Sequence, residues 1–310
     1  MTVIQLEYII AVDTYRHFGK AAESCHVTQP TLSMQIQKME EQLGVVIFDR
    51  SKSPVTPTEA GGRIIKQARI VIHELRKIEE MVSTEKAELS GEVTIGIIPT
   101  LAPYLMPLFI NQFLDNYPGV TLHIEEMITE DILRKLRTER IDIGLFVTPL
   151  DDPAFSVKPI FYEDFVGYVS HRSSQYDKKK LKAADIEKEE LLLLNEGHCF
   201  RDQVLRICGD HRNPNTRFTY ESGSLEALKR LVNKHGGMTL LPELATIDMD
   251  AGEKSKLRYF SDPVPTREVS MVTHRNYLRL GLAKALYTDI QNSIPDYLNI
   301  KKHGEVINWK

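Results

Sequence analysis

Cys199 and Cys208 are the residues whose type and spacing point most directly to chemistry. They stand nine positions apart in a stretch, residues 193–209, that reads LLNEGHCFRDQVLRICG. The residues between them predict a helix. Phe200, Val204 and Ile207 are apolar at helical spacing, and Gly209 is a helix stop. Across such a helix, at about 1.5 Å of rise per residue, the two Cα atoms stand roughly 13 Å apart. A disulfide needs about 4.4–6.8 Å. A bond between the thiols therefore requires the helix to give way, which makes the pair a candidate redox switch. A second reading stands beside it: free cysteine is among the most buried residue types, and both thiols are then plain core residues.

The elements that position these thiols belong to a long chain. Its 310 residues suffice for two domains or more, and 42% hydrophobic with 26% charged residues is the balance of a soluble globular protein. No apolar run approaches the roughly 18 residues of a membrane span, and no signal peptide is evident. The chain is expected in the cytoplasm, away from membranes, where three cysteines do not make a disulfide framework. No metal-ligand spacing and no phosphate loop is present, so neither metal nor cofactor is expected. The formal net charge of −4 carries no general nucleic-acid signature. Between Arg16 and Arg69, however, eight Lys/Arg stand against five Asp/Glu, which permits a DNA-binding surface.

Three segments follow: 1–58, 59–89 and 90–310. The first reads as short helices joined by tight turns. Ala21 and Ala22 allow close helix approach, Thr28 is an N-cap, and Pro30 fits a first turn. Leu32, Ile36 and Met39 form one apolar face of the next helix. This predicts a winged helix-turn-helix, mainly α-helical. Its candidate DNA contacts are Thr28, Gln29, Pro30, Thr31, Ser33, Gln35 and Lys38 on the second helix, with Arg50, Lys52 and Thr56 in the wing. The alternative is a small helical bundle with a solvated polar face. Cys25 is expected as a small core residue. The second segment is one long linker helix. Ile64, Ala68, Val71, Leu75, Ile78 and Val82 follow a heptad a/d rhythm, which predicts a dimerising coiled coil. Packing against the chain's own domain is the competing use. The third segment alternates strands (93–98, 120–125, 141–147) with helices (101–116, 130–138), a parallel α/β arrangement. A comparable set follows residue 161: strands 165–169, 191–194 and 238–241, a polar helical stretch at 178–190, the helix between the two cysteines, and a helix over 225–232. With a further strand at 269–273, two α/β lobes joined by two crossing strands are expected, with a ligand cleft between them.

The N-terminal stretch 18–50, the linker helix and the two-lobe region together resemble the LysR-type transcriptional regulators, whose regulatory domain is of the two-lobe periplasmic-binding-protein type. A closer likeness is to the hydrogen-peroxide sensors of that family. It is carried by Gly197-His198-Cys199-Phe200-Arg201-Asp202-Gln203 with Cys208, by Gly96-Ile97-Ile98-Pro99-Thr100 with Pro103-Tyr104-Leu105, and by Thr239-Leu240-Leu241-Pro242. The resemblance implies a regulator, not an enzyme, in which Cys199 is peroxidatic and Cys208 resolving. It implies peroxide contacts from Thr100, Thr129 and His198, with Arg267 close by. It also implies double-stranded DNA, RNA polymerase and a cellular thiol reductant as partners, and a homodimer that pairs into a homotetramer. The chain departs from the pattern at Phe218 and in a basic helix expected at 178–182. Physically, Thr100, Thr129 and Cys199 all precede or open helices, where unpaired N–H groups and the dipole favour a thiolate. His198 and Arg201 are expected to add positive charge, and each threonine is expected to double as an N-cap. Two alternative readings stand beside the peroxide-sensing one: a LysR-type regulator answering a small metabolite in the cleft, and a thiol peroxidase.

Overall fold

The computed structural model describes residues 1–52, 54–83, 89–186, 190–208, 222–277, 279–298 and 304–309. Phe218 and Gly209 lie outside the described residues. The chain divides into two compact units, Met1–Ala87 and Glu88–Lys310.

In the first unit, α1 (Val3–Tyr15) opens on a Thr2/Gln5 capping box. The next helix, α2 (Phe18–Ser24), is capped by the His17 side chain. Thr28 caps α3 (Gln29–Leu43) by accepting from the Thr31 N–H, and Gly44, at φ +67°, ends it. Strands β1 (Phe48–Asp49) and β2 (Thr56–Pro57) pair antiparallel as the wing. The long helix α4 (Glu59–Ser83) follows. Leu6, Ile9, Val12, Ala21, Ala22, Leu32, Ile36, Met39 and Phe48 form the core, and Ile65, Ala68 and Ile72 of α4 close it. The approach is tight at Gly61, where an added Cβ would lie 2.0 Å from the Ile47 carbonyl oxygen.

The second unit begins with β3 (Ser90–Ile97), α5 (Ala102–Asn116), β4 (Gly119–Glu126), α6 (Thr129–Arg137) and β5 (Ile143–Thr148). Strand β3 pairs parallel with both β4 and β5, the expected βαβαβ arrangement. The chain then runs through β6 (Phe155–Val169), β7 (Lys180–Leu181), α7 (Ala183–Ile186), α8 (Cys199–Cys208), α9 (Leu225–Lys234) and β8 (Met238–Pro242). A 3₁₀ turn (Glu243–Thr246), α10 (Ala251–Lys254), β9 (Leu257–Phe260), β10 (Pro265–His274), α11 (Leu280–Ser293) and β11 (Glu305–Val306) complete it. The crossing strands are β6 and β10, which pair antiparallel along their length. At one end β10 continues onto β5; at the other β6 carries β8 and β9. Two hydrophobic cores result. One gathers Val93, Ile95, Phe109, Ile132, Phe146 and Leu286. The other gathers Phe165, Tyr168, Leu228, Val232, Leu240 and Phe260.

Three expectations need correction. The second strand set is not a parallel repeat of the first, because β6 pairs antiparallel with β8 and β9. The basic stretch 178–182 is not a helix: Lys180 and Leu181 pair parallel with Tyr259 and Phe260, and Leu181 is fully buried. Burying that leucine against an edge outweighs the helix propensity of its lysine neighbours. Residues 191–194 make only isolated bridges, Leu191 to Met238 and Leu194 to Ser222.

Candidate functional site

Helix α8 spans both cysteines, from Cys199 to Cys208. At 100° per residue their side chains leave opposite faces of the helix, about 13 Å apart along its axis. The two faces meet different cores. Cys199 belongs to the core built on β3, α5 and α6, whereas Phe200, Val204 and Cys208 belong to the other. No disulfide joins any of the three cysteines. The Cys208 thiol donates to the Val204 carbonyl at 2.7 Å, inside its own helix. The turn that delivers the chain into α8 needs Gly197, whose φ of +90° lies in the left-handed region.

Around Cys199 the second unit gathers Thr100, Thr129, His198 and Arg267, all buried. Neither threonine caps its helix. The N-cap positions of α5 and α6 are Leu101 and Ile128, without side-chain caps. The hydroxyls are thereby turned to other uses. Thr100 Oγ1 accepts from Arg267 Nη1 at 3.2 Å. Among the described residues Thr129 Oγ1 makes no well-formed hydrogen bond, but it faces the Cys199 sulfur closely enough to favour its anion. Burial nevertheless dominates and pushes the Cys199 thiol up, against the opposing pull of the Thr129 hydroxyl, the Arg267 charge and the Phe200 N–H. The expected low-pKa thiolate is therefore not the resting form. The expected cationic help from His198 is also absent near neutrality, because burial holds the imidazole below its ordinary value. Arg201 donates instead to the Leu194 carbonyl at 2.8 Å, fixing the loop before α8. Sequence reasoning missed Glu163, which pairs with Arg267 at 2.7 Å with both side chains wholly buried. Its signal was a pair of adjacent carboxylates, Glu163 and Asp164, directly before the apolar run 165–169.

In the first unit, α3 turns Leu32, Ile36 and Met39 inward. Thr28, Gln29, Pro30 and Lys38 are exposed, and Thr31, Ser33 and Gln35 are half-buried. Met34, outside the candidate set, is 60% exposed near the middle of the outward face. Gln35 accepts from Gln5 at 3.2 Å, so its amide oxygen ties α3 to α1. Arg50 donates to Ser33 Oγ and to Glu40 Oε2, each at 3.1 Å, and lies 5.0 Å from the Phe18 ring centroid. Lys52 pairs with Asp49 at 3.4 Å, and Thr56 lies in β2. Glu40 also accepts from the Ile47 and Phe48 N–H groups, which locks the wing to the recognition helix. Cys25 is half-buried against the same core at the end of α2. Along α4 the inward stripe is Ile65, Ala68 and Ile72, with Ile64 and Leu75 leaning on it. Ala68 thus corrects a purely intermolecular seam, because the helix also closes its own domain. Val71 is exposed. The side chains of Ile78 and Val82 lie outside the described residues. Among the described residues, no helix is long and apolar enough to cross a membrane and no group of His, Cys, Asp or Glu is arranged to hold a metal.

A helix-turn-helix with a wing, followed by a long helix and a two-cored α/β unit, defines a DNA-binding transcriptional regulator. Residues 4–62 match the bacterial regulatory helix-turn-helix proteins of the lysR family, and residues 86–293 match the LysR substrate binding domain. The chain belongs to the LysR family of transcriptional regulators. Its relatives include the hydrogen peroxide-inducible genes activator of Dickeya chrysanthemi, 36% identical over 303 residues, which are 97% of each protein. Full-length OxyR from Pseudomonas aeruginosa, carrying a cysteine-to-aspartate substitution, matches in structure with a TM-score of 0.80 at 36% identity, covering 94% of this chain and 98% of that one. A hydrogen-peroxide-bound cysteine mutant of OxyR from Corynebacterium glutamicum matches with a TM-score of 0.60 at 29% identity, covering 94% and 92%.

Proposed function

We propose that this regulator senses hydrogen peroxide through Cys199 and Cys208 and answers by changing the transcription of oxidative-stress genes. The observation that carries the reading is α8 itself, which holds two cysteines, joined by no disulfide, at its two ends and in two different cores. Peroxide enters beside Thr100, Thr129 and His198. The Thr129 hydroxyl, which faces the Cys199 sulfur and has no geometric partner among the described residues, supplies a hydrogen bond to the peroxide. The Cys199 sulfur attacks one peroxide oxygen and the O–O bond breaks. Sulfur is oxidised to the sulfenic acid, and the departing hydroxide leaves as water with the thiol proton. The Cys208 sulfur then displaces the sulfenic hydroxyl, a second water leaves, and the disulfide closes. Helix geometry forbids that bond while α8 persists, so closure takes one face of α8 out of its core and repacks the unit.

The same reading makes Gln29, Ser33 and Arg50 the centre of the contact with double-stranded DNA, and Val71 part of a homodimer seam that puts two recognition helices on two half-sites. A homotetramer, engagement of RNA polymerase, and resetting by a cellular thiol reductant in the cytoplasm complete the proposal. The test is a pair of variants. Cys199→Ser abolishes the peroxide response at the promoter. Cys208→Ser leaves a Cys199 that reacts once with peroxide and stalls as a trappable sulfenic acid. A full response in Cys199→Ser contradicts the reading and favours a metabolite-responsive regulator.

A further inference from the structure

Arg267 on β10 and Glu163 on β6 are direct register partners across the two crossing strands, and both are wholly buried. One carboxylate oxygen, Oε1, accepts from Arg267 Nε at 2.8 Å and Nη2 at 2.7 Å. The other, Oε2, accepts from the Leu244 backbone N–H at 2.8 Å, inside the 3₁₀ turn that follows β8. With that edge held, the guanidinium has only its far side left for the site. Nη1 donates to Thr100 Oγ1 at 3.2 Å and Nη2 to the Thr100 carbonyl at 3.3 Å. Its carbon lies 5.5 Å from the ring centroid of Phe200, the neighbour of Cys199 on α8.

We infer that Glu163 is a positioning residue of the thiol site: it fixes the orientation in which Arg267 meets Thr100 and sets the net charge beside Cys199. The inference rests on the peroxide-reactive reading of Cys199. Two physical points make a carboxylate necessary. Arg267 and the Leu244 N–H approach different oxygens and both donate, so both oxygens must accept. An amide offers one acceptor and one donor, and either orientation of glutamine sets two donors against each other. Charge is the second point. Glu163 balances Arg267, and its removal leaves an unpaired buried cation that favours an anion at the thiol.

The experiment uses the full-length chain carrying Cys208→Ser, which halts oxidation at the sulfenic acid. Cys199 alkylation by iodoacetamide and its second-order reaction with hydrogen peroxide are followed across pH. In Glu163→Gln the pH midpoint falls by about one unit, and the plateau rate with peroxide falls about ten-fold or more because the donors are misaligned. In Glu163→Asp, which keeps the charge and both acceptors on a shorter arm, the midpoint stays and only the peroxide plateau falls. A lower melting temperature with both midpoint and plateau unchanged means a purely structural role and overturns the inference. If Cys199 in the parent chain does not react with peroxide while Glu163→Gln still moves the iodoacetamide midpoint, the peroxide reading falls and the positioning role stands.

Discussion

Val204→Ala tests whether α8 must leave its core before the disulfide closes. Val204 is 1% exposed and packs in the same core as Phe200 and Cys208. The substitution removes two methyl groups, worth about 1.6 kcal/mol at roughly 0.8 kcal/mol each. The space left behind raises the loss to about 2 kcal/mol. Alanine is the better helix former, which offsets about 0.5 kcal/mol. The native packing of α8 is then weaker by about 1.5 kcal/mol. If Val204 has already left the core when the sulfurs meet, that whole difference appears in the rate. Closure then accelerates about ten-fold, since 1.36 kcal/mol is one decade. The assay is acid-quenched mass spectrometry after stoichiometric peroxide, following the first-order conversion of sulfenic acid to disulfide. Denaturant unfolding of the reduced chain measures the equilibrium loss alongside it. An unchanged closure rate accompanying the full equilibrium loss refutes the reasoning, because the bond would then form with α8 still packed.

The burial of Cys199 sets a pH dependence. Its thiol is raised above the ordinary 9.0, so the reactive anion is the minor form below that pH. The peroxide and alkylation rates of Cys199 should climb throughout pH 6 to 9, and a plateau reached below pH 7 contradicts the assigned burial. Val71→Asp puts a charge on an exposed side chain of α4 and should yield a folded monomer by sedimentation, with operator affinity reduced. Ala68→Asp, by contrast, buries the charge in the chain's own core and should unfold the first unit. An intact dimer in Val71→Asp places the seam elsewhere. Gln29→Ala and Ser33→Ala should each weaken discrimination of the operator by about 1–3 kcal/mol where they read a base. Unaltered operator titrations in both variants count against this reading face.

Much of the architecture was legible because apolar spacing and capping chemistry agreed. Thr28, Pro30 and the Leu32–Ile36–Met39 face mark α3, and the Phe200–Val204–Ile207 spacing marks a helix that the structure extends to both cysteines. What escaped was decided by long-range pairing. Only 165–169 read as a strand, yet β6 begins at Phe155. Pro159, Glu163 and Asp164 interrupt its apolar pattern, Pro159 beside a register shift against β10 and Glu163 opposite Arg267. A carboxylate in a strand looks like a loop until its partner is known. Lys180 and Leu181 failed in the same way, because their pairing with Tyr259 and Phe260 lies far off in sequence. At the site, the family resemblance supplied the candidate residues, of which Thr129 and Arg267 do act on the Cys199 thiol, while helix-end reasoning took the sign of its shift from the dipole. Desolvation, invisible in a sequence, decides it the other way.

The most direct measurement is non-reducing peptide mapping of wild-type chain after brief exposure to peroxide, paired with hydrogen exchange over residues 200–207. The expected product is a Cys199–Cys208 linkage whose appearance coincides with loss of exchange protection across α8. A Cys199–Cys25 linkage as the main product contradicts it, and so does a Cys199–Cys208 bond formed while that segment stays as protected as in the reduced protein.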